Sequence, residues 1–312
     1  MKIIAVLYFI LIVINFFAQS TPCYFQKRFC DNRKIKNCNE LVSFNEETDT
    51  YFSKKNISIL FTGNCVTCYR NGQLKSQISI INGKQDSIGI EYYESGCIQS
   101  KMYFVLGKLD GEVTFYYDST NKKAQQEFFN QGIRNGKSIE FENNTTNDTI
   151  IYKTFKNNKL DGIKKEFYPN NKILRIIEYK NGVLDGIQKK YNSESMIEME
   201  ISFKNGKKDG VWRYYFDSGL EAKLENWSDG LKNGEFKVID EKGIIKTQEY
   251  YKKNIPIEKH IQNYPDGKPK LVTIYDKKGI IIEEFSFDEF GTKKDIIKRV
   301  EKKKNLKILF SF

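Results

Sequence analysis

"FKNGKKDGVWRYYFDSG", residues Phe203–Gly219, is the stretch that decides the fold, because it is one copy of a recurring unit. "YKNGVLDGIQKKYNSES" begins at Tyr179 and "FKNNKLDGIKKEFYPNN" at Phe155. Three features keep a common period. The aromatic residue three positions before the glycine of each NG, or its equivalent, falls at Phe104, Phe129, Phe155, Tyr179, Phe203, Trp227, Tyr251 and Tyr275, spaced by 25, 26 and then 24 residues. A second aromatic set follows at Tyr92, Tyr116, Phe141, Phe167, Tyr191 and Tyr215. Turn glycines mark the same beat at Gly72 and Gly96, then at Gly219, Gly243, Gly267 and Gly291. A fixed period of this length is the signature of a repeat architecture.

Within a unit the residues read strand, turn, strand, turn. "GVWRYYF" (Gly210–Phe216) is rich in aromatic and β-branched residues. "DSG" (Asp217–Gly219) offers an Asp that bonds its own backbone and a Gly that accepts positive φ. "LEAKLENW" (Leu220–Trp227) returns, and "SDGLKNG" (Ser228–Gly234) reverses the chain again. Apolar and polar residues mostly alternate in Ile173–Gly182 and Met196–Gly206, which is strand periodicity. One hairpin is marginal alone, whereas stacked hairpins stabilise their neighbours. The expected fold is all-β: an elongated antiparallel meander of about ten 24-residue hairpin repeats over residues 57–291. A disulfide-rich cap over 21–56 and a basic tail over 292–312 would protect its open edges.

"FTGNCVTCYRNGQLKS" (Phe61–Ser76) and the "YKNG-x-L-D-G" and "DG-x-W-x-x-Y-Y" units resemble bacterial MORN-repeat variant proteins, more narrowly the YwqK-like set labelled as antitoxin components. The resemblance covers roughly Ile57–Gly291. It implies a β-hairpin repeat scaffold, and its label implies neutralisation of a partner toxin by direct binding. Two departures stand out: "NNTTND" loosens one unit, and the expected Trp is clear only at Trp212.

Lys2, the apolar run Ile3–Phe17 and the small residues of Ala18–Ser20 compose a signal peptide cut near Ser20. The run is shorter than the ~20 residues of a membrane span, so a retained anchor is the lesser alternative. Cys23, Cys30, Cys38, Cys65, Cys68 and Cys97 all follow that cut and crowd the first third of the chain. An even count in an exported protein points to disulfides, and sequence does not choose among the pairings. The formal charge is +11, but Lys293–Lys307 alone carries +6 of it, so the body is nearly balanced and no specific nucleic-acid binding is expected. That tail reads as a solvated end or as a basic helix touching a membrane surface.

Several constellations could carry chemistry. Asp110, Asp161, Asp185 and Asp209 of the DG turns form a carboxylate series, but one carboxylate per unit is too few for calcium, and Asp-Gly is itself the favoured turn pair. Cys65-x-x-Cys68 has zinc or redox spacing, yet it lies in a strand, where positions three apart face opposite sides and take different partners. His260 is the only histidine, in no catalytic motif. No enzyme activity, metal or cofactor is expected. The aromatic ladder is read mainly as core, with a second set left over for a protein, cell-envelope or glycan partner. Trp212, Tyr214 and Tyr250 are the candidate contact residues.

Overall fold

The turns explain the architecture. Asn205 and Gly206 have φ of 49° and 78°, and the same pair of positive values recurs at Asn181 and Gly182, Asp229 and Gly230, and Gln131 and Gly132. Two successive left-handed residues make a type I′ turn, whose twist matches that of the paired strands. Asn, Asp and Gly adopt such angles most readily, and Gln131 adopts one too. The opposite reversal, as at Phe216–Leu220, has one left-handed glycine, and a register shift falls just before it between Tyr214 and Tyr215.

The computed structural model describes residue 30 and residues 37–298. The expected signal peptide and Cys23 therefore lie outside the described residues. The chain forms two compact units, one ending at Asn171 and one beginning at Lys172. In the first, strands Gly63–Cys68, Leu74–Ile81, Ser87–Tyr92, Ile98–Val105, Gly111–Tyr116, Lys123–Asn130, Ile133–Phe141, Thr149–Lys156 and Gly162–Phe167 pair in order as an antiparallel meander. In the second, the same pattern runs from Ile173–Lys180 through Gly210–Tyr215 and Glu221–Ser228 to Lys293–Lys298. The basic tail thus begins as a further strand, and residues 299–312 lie outside the described ones. Among the described residues no helix is long and apolar enough to cross a membrane.

Successive repeats are tied at both ends. At the NG end, Gly206 N–H donates to Leu184 O (2.7 Å) and Gly230 N–H to Lys208 O (2.8 Å). The DG carboxylates reach across as well: Asp185 accepts from Asn205 N–H and Asp209 from Asp229 N–H, each at 3.0 Å. Asp110 accepts from the Gln131 side chain at 2.6 Å. The Asp161 N–H donates to Thr154 O at 3.0 Å. At the other end tyrosine hydroxyls do the same work. Tyr69 donates to Tyr92 O (2.7 Å), Tyr93 to Tyr116 O (2.8 Å), Tyr117 to Phe141 O (2.7 Å) and Tyr264 to Phe287 O (2.9 Å).

The N-terminal region is a small helix, Cys38–Leu41, and a three-stranded sheet of Val42–Asn45, Thr50–Ser53 and Asn56–Leu60. Cys38 bridges Cys65 and Cys30 bridges Cys68, with Cα separations of 4.9 and 6.3 Å. Cys97 is disulfide-bonded too. Cys38, Cys65 and Ile80 form a buried cluster flanked by Leu41, Tyr51 and Phe61. Gly83 shows how closely the two sheets meet: a Cβ there would lie 2.8 Å from Thr50 Cγ2 and 2.9 Å from Tyr51 O.

Candidate functional site

Side chains opposite one another in an antiparallel ladder share a face. In the second unit this rule gathers the rings onto one side. Phe203, Trp212, Trp227, Phe236, Tyr251, His260 and Tyr275 touch in sequence, with centroid separations from 4.7 to 6.0 Å. Most neighbours are tilted or edge-on, the arrangement favoured by ring quadrupoles. Trp212 and Phe236 are only 6% and 7% exposed, so in a one-layer sheet the ladder is the core.

Cations complete it. Lys208 Nζ lies 4.2 Å from the Trp212 ring centroid and 4.1 Å from that of Trp227. Lys232 sits likewise between Phe236 (4.8 Å) and Tyr251 (4.4 Å). In the first unit Arg134 takes the same place over Phe155 at 4.9 Å. Each of these residues stands two positions after the turn glycine (206, 230 or 132), a regularity visible in the sequence though not used there. Burial, followed by the hydrogen bond to Glu249, pushes the Tyr251 phenol up to about 12. His260 fills a ring position, and its Nε2 lies 3.0 Å from Tyr250 N and 2.8 Å from Tyr250 O.

The three candidate contact residues do not form one surface. Trp212 belongs to the ladder, and its Nε1–H donates to Ser202 O at 2.7 Å. Tyr214 stands two residues further along the same strand, hence on the same face, half-buried, with Lys223 Nζ 5.5 Å from its ring centroid. Tyr250 is on the opposite face, paired with Glu235 across the ladder. Its hydroxyl accepts from Gln248 Nε2 at 2.9 Å. Burial raises both phenols, with Glu225 adding to the effect at Tyr214 and Glu235 at Tyr250.

Tyr214 also lines a cleft of about 640 Å³ with Tyr215, Phe216, Glu198, Asp217 and Glu241. Lys190 pairs with Glu198 at 2.7 Å. The cleft lies beside the turn at Asp217–Gly219, and its rings and carboxylates suit a cationic group.

The opposite face carries a column above Gly162, Gly186, Gly210 and Gly234. Thr154, Glu178, Ser202 and Asn226 each bond backbone across the turn: Ile163 N–H donates to Thr154 (2.9 Å), Ile187 N–H to Glu178 (2.9 Å), Ser202 donates to Asp209 O, and Asn226 donates to Glu235 O (2.6 Å). Tyr250 is the next member of that column, and there the usual glycine is replaced by Glu258.

Residues 160–181 match the family described as MORN repeat variant. No curated protein matches the chain. Among solved structures it is similar to a crystal structure of TcdB2–TccC3, at 12% identity and a TM-score of 0.21, over 79% of this chain and 16% of that one. It is also similar to a Photorhabdus luminescens Tc holotoxin pore, at 9% identity and a TM-score of 0.20, over 76% of this chain and 14% of the other. The chain therefore spans 16% or less of the length of these two chains. None of these matches supports the narrower YwqK-like or antitoxin assignment.

Proposed function

We propose that the chain is an exported, non-catalytic repeat scaffold that presents its sheet surface to a protein, cell-envelope or glycan partner. One observation supports this best: in the second unit the strands pack on their ladder neighbours as a single layer, leaving side chains half-buried on both faces and apolar ones such as Val183 and Ile255 at 45% and 43% exposure. Such a layer offers area rather than an enclosed pocket. Export is favoured by the bridges at Cys30, Cys38, Cys65, Cys68 and Cys97, since disulfides persist in oxidising compartments. Within this reading Trp212 holds the scaffold, while Tyr214 and Tyr250 supply contacts on opposite faces.

The test is photo-crosslinking in intact native cells from Tyr214 and Tyr250, each replaced by a crosslinking residue, with fractionation and non-reducing intact mass. Adducts to an envelope component from a shortened, oxidised chain are expected. A full-length, reduced cytosolic chain bound to one protein would overturn export and favour the toxin-neutralising role that the YwqK-like resemblance implies.

A further inference from the structure

The first unit has a second layer where the N-terminal three-stranded sheet lies over the first strands of the meander, fastened by the Cys38–Cys65 bridge. Between the layers is a cavity of about 560 Å³, inside the roughly 300–1,000 Å³ range of small-molecule sites. Val42, Phe44 and Tyr51 line it from the N-terminal sheet, and Ile78, Met102 and Phe104 from the meander. The Phe44 and Tyr51 rings lie 4.7 Å apart, and Phe44 is 45% exposed.

Gly89 also lines the cavity. It stands three residues before Tyr92, the place that Trp212 holds before Tyr215 and that Phe236 and His260 hold in the two repeats after that. Its φ lies outside the left-handed region, so the backbone of this strand does not require glycine. What glycine provides is room: a Cβ there would come 2.8 Å from Gln85 Nε2 and 3.2 Å from Phe104 Cε2, two side chains that line the cavity. Where those later repeats fill this position with a ring, this one leaves space beneath the N-terminal sheet.

The polar lining is ordered too. Thr67, Ser76 and Glu91 are register partners across three strands and make one row. The Thr67 and Ser76 hydroxyls satisfy each other at 2.5 Å, and Glu91 Oε2 accepts from Ser100 at 2.9 Å. Glu91 is the one charged residue of the lining, and among the described residues no cation pairs with it. Lys75 and Lys101 adjoin the lining residues Ser76 and Met102, so they face the other side of the sheet, each 5.8 Å from a tyrosine ring centroid. Lys54 and Lys84 are held by carbonyls of the N-terminal region, Asn39 O and Thr48 O, both at 2.7 Å.

We propose that this cavity binds a small organic amine, its apolar body between Phe44, Tyr51 and Phe104 and its ammonium group on Glu91. The unpaired carboxylate selects a cation, and the rings with the Met102 thioether suit a flat apolar body. The site is separate from the sheet surface offered to a partner, and it does not rest on export.

Isothermal titration of the oxidised full chain with phenethylamine and tryptamine, and with their neutral counterparts 2-phenylethanol and tryptophol, tests it. Saturable binding is expected, each amine held about tenfold more tightly than its alcohol, the difference a hydrogen bond to a charged group makes. Glu91→Gln should erase that preference while leaving the alcohols unchanged, and Gly89→Val should abolish binding of all four. Phe44→Ala, at an exposed ring, spares the fold should Gly89→Val melt early, and it should weaken every ligand about tenfold. A wild type that binds none of them, alcohols held as tightly as the amines, or amine binding that survives Glu91→Gln and Phe44→Ala undiminished would overturn the proposal.

Discussion

Gly234 and Gly219 separate two reasons for a turn glycine. Both have positive φ, 119° and 82°, which a side chain resists. Only at Gly234 would a Cβ also strike a neighbour, Asn226 Cβ at 2.9 Å, whereas nothing lies within 4 Å at Gly219. Gly219→Ala is therefore expected to cost about 1 kcal/mol and Gly234→Ala about 2–3 kcal/mol. Thermal melts of the two variants check this, and equal losses would remove the close-approach argument. Tyr251 gives a second outcome at this scale. Its folded pKa is raised from 10.0 to about 12, so the folded state holds the proton more tightly. The stabilisation is complete below pH 10 and is lost as pH rises toward about 12. Melts across that interval should show the loss, and Tyr251→Phe should reduce its slope.

The element that matters is the hairpin and the ring it lends to the ladder. Trp212→Ala removes a buried ring touching two others, and should cost about 3–5 kcal/mol. Tyr214→Ala, half-exposed on the same strand, should cost far less. Chemical denaturation of both variants decides whether the ladder is the core. Strands and turns were legible in the sequence because period-2 alternation and the NG and DSG signals are local. The facing of the rings was not. Tyr214 and Tyr215, and Tyr250 and Tyr251, look alike as doublets, yet Tyr214 and Tyr251 share the ladder side while Tyr250 does not. Which member points inward depends on how the two strands align across a turn flanked by a register shift, as between Val238 and Ile239. A shift of one residue inverts the face, and no composition rule announces it. The tyrosine clasps were equally hidden, since a hydroxyl reaching the next repeat is a long-range contact. Only the 24-residue spacing hinted at them.

At the scale of the molecule the cysteines divide the chain unevenly. The Cys30–Cys68 and Cys38–Cys65 bridges close loops of 38 and 27 residues, worth about 3–4 kcal/mol each on chain-entropy grounds. The second unit contains no cysteine. Reduction is expected to open the first unit to protease while a fragment beginning near Lys172 resists. Simultaneous digestion of both units would show that the second depends on the first. The opposing expectation about Cys65 and Cys68 as a zinc or redox pair is answered by their separate partners, which strand alternation had already suggested.

The clasps have a consequence for how such a chain can change length. In the second unit the Asp185 carboxylate finds its partner in the next turn, and Asp209 repeats the arrangement one unit later. Every tie is made to an adjacent copy of the same motif, so excising or duplicating one whole 24-residue unit rejoins equivalent ends. An odd-numbered excision would instead invert the downstream faces and send the rings to the wrong side. Gain and loss in this lineage should accordingly come in whole hairpins, and the number of turns along each margin becomes a quantity that duplication can adjust without redesigning any residue.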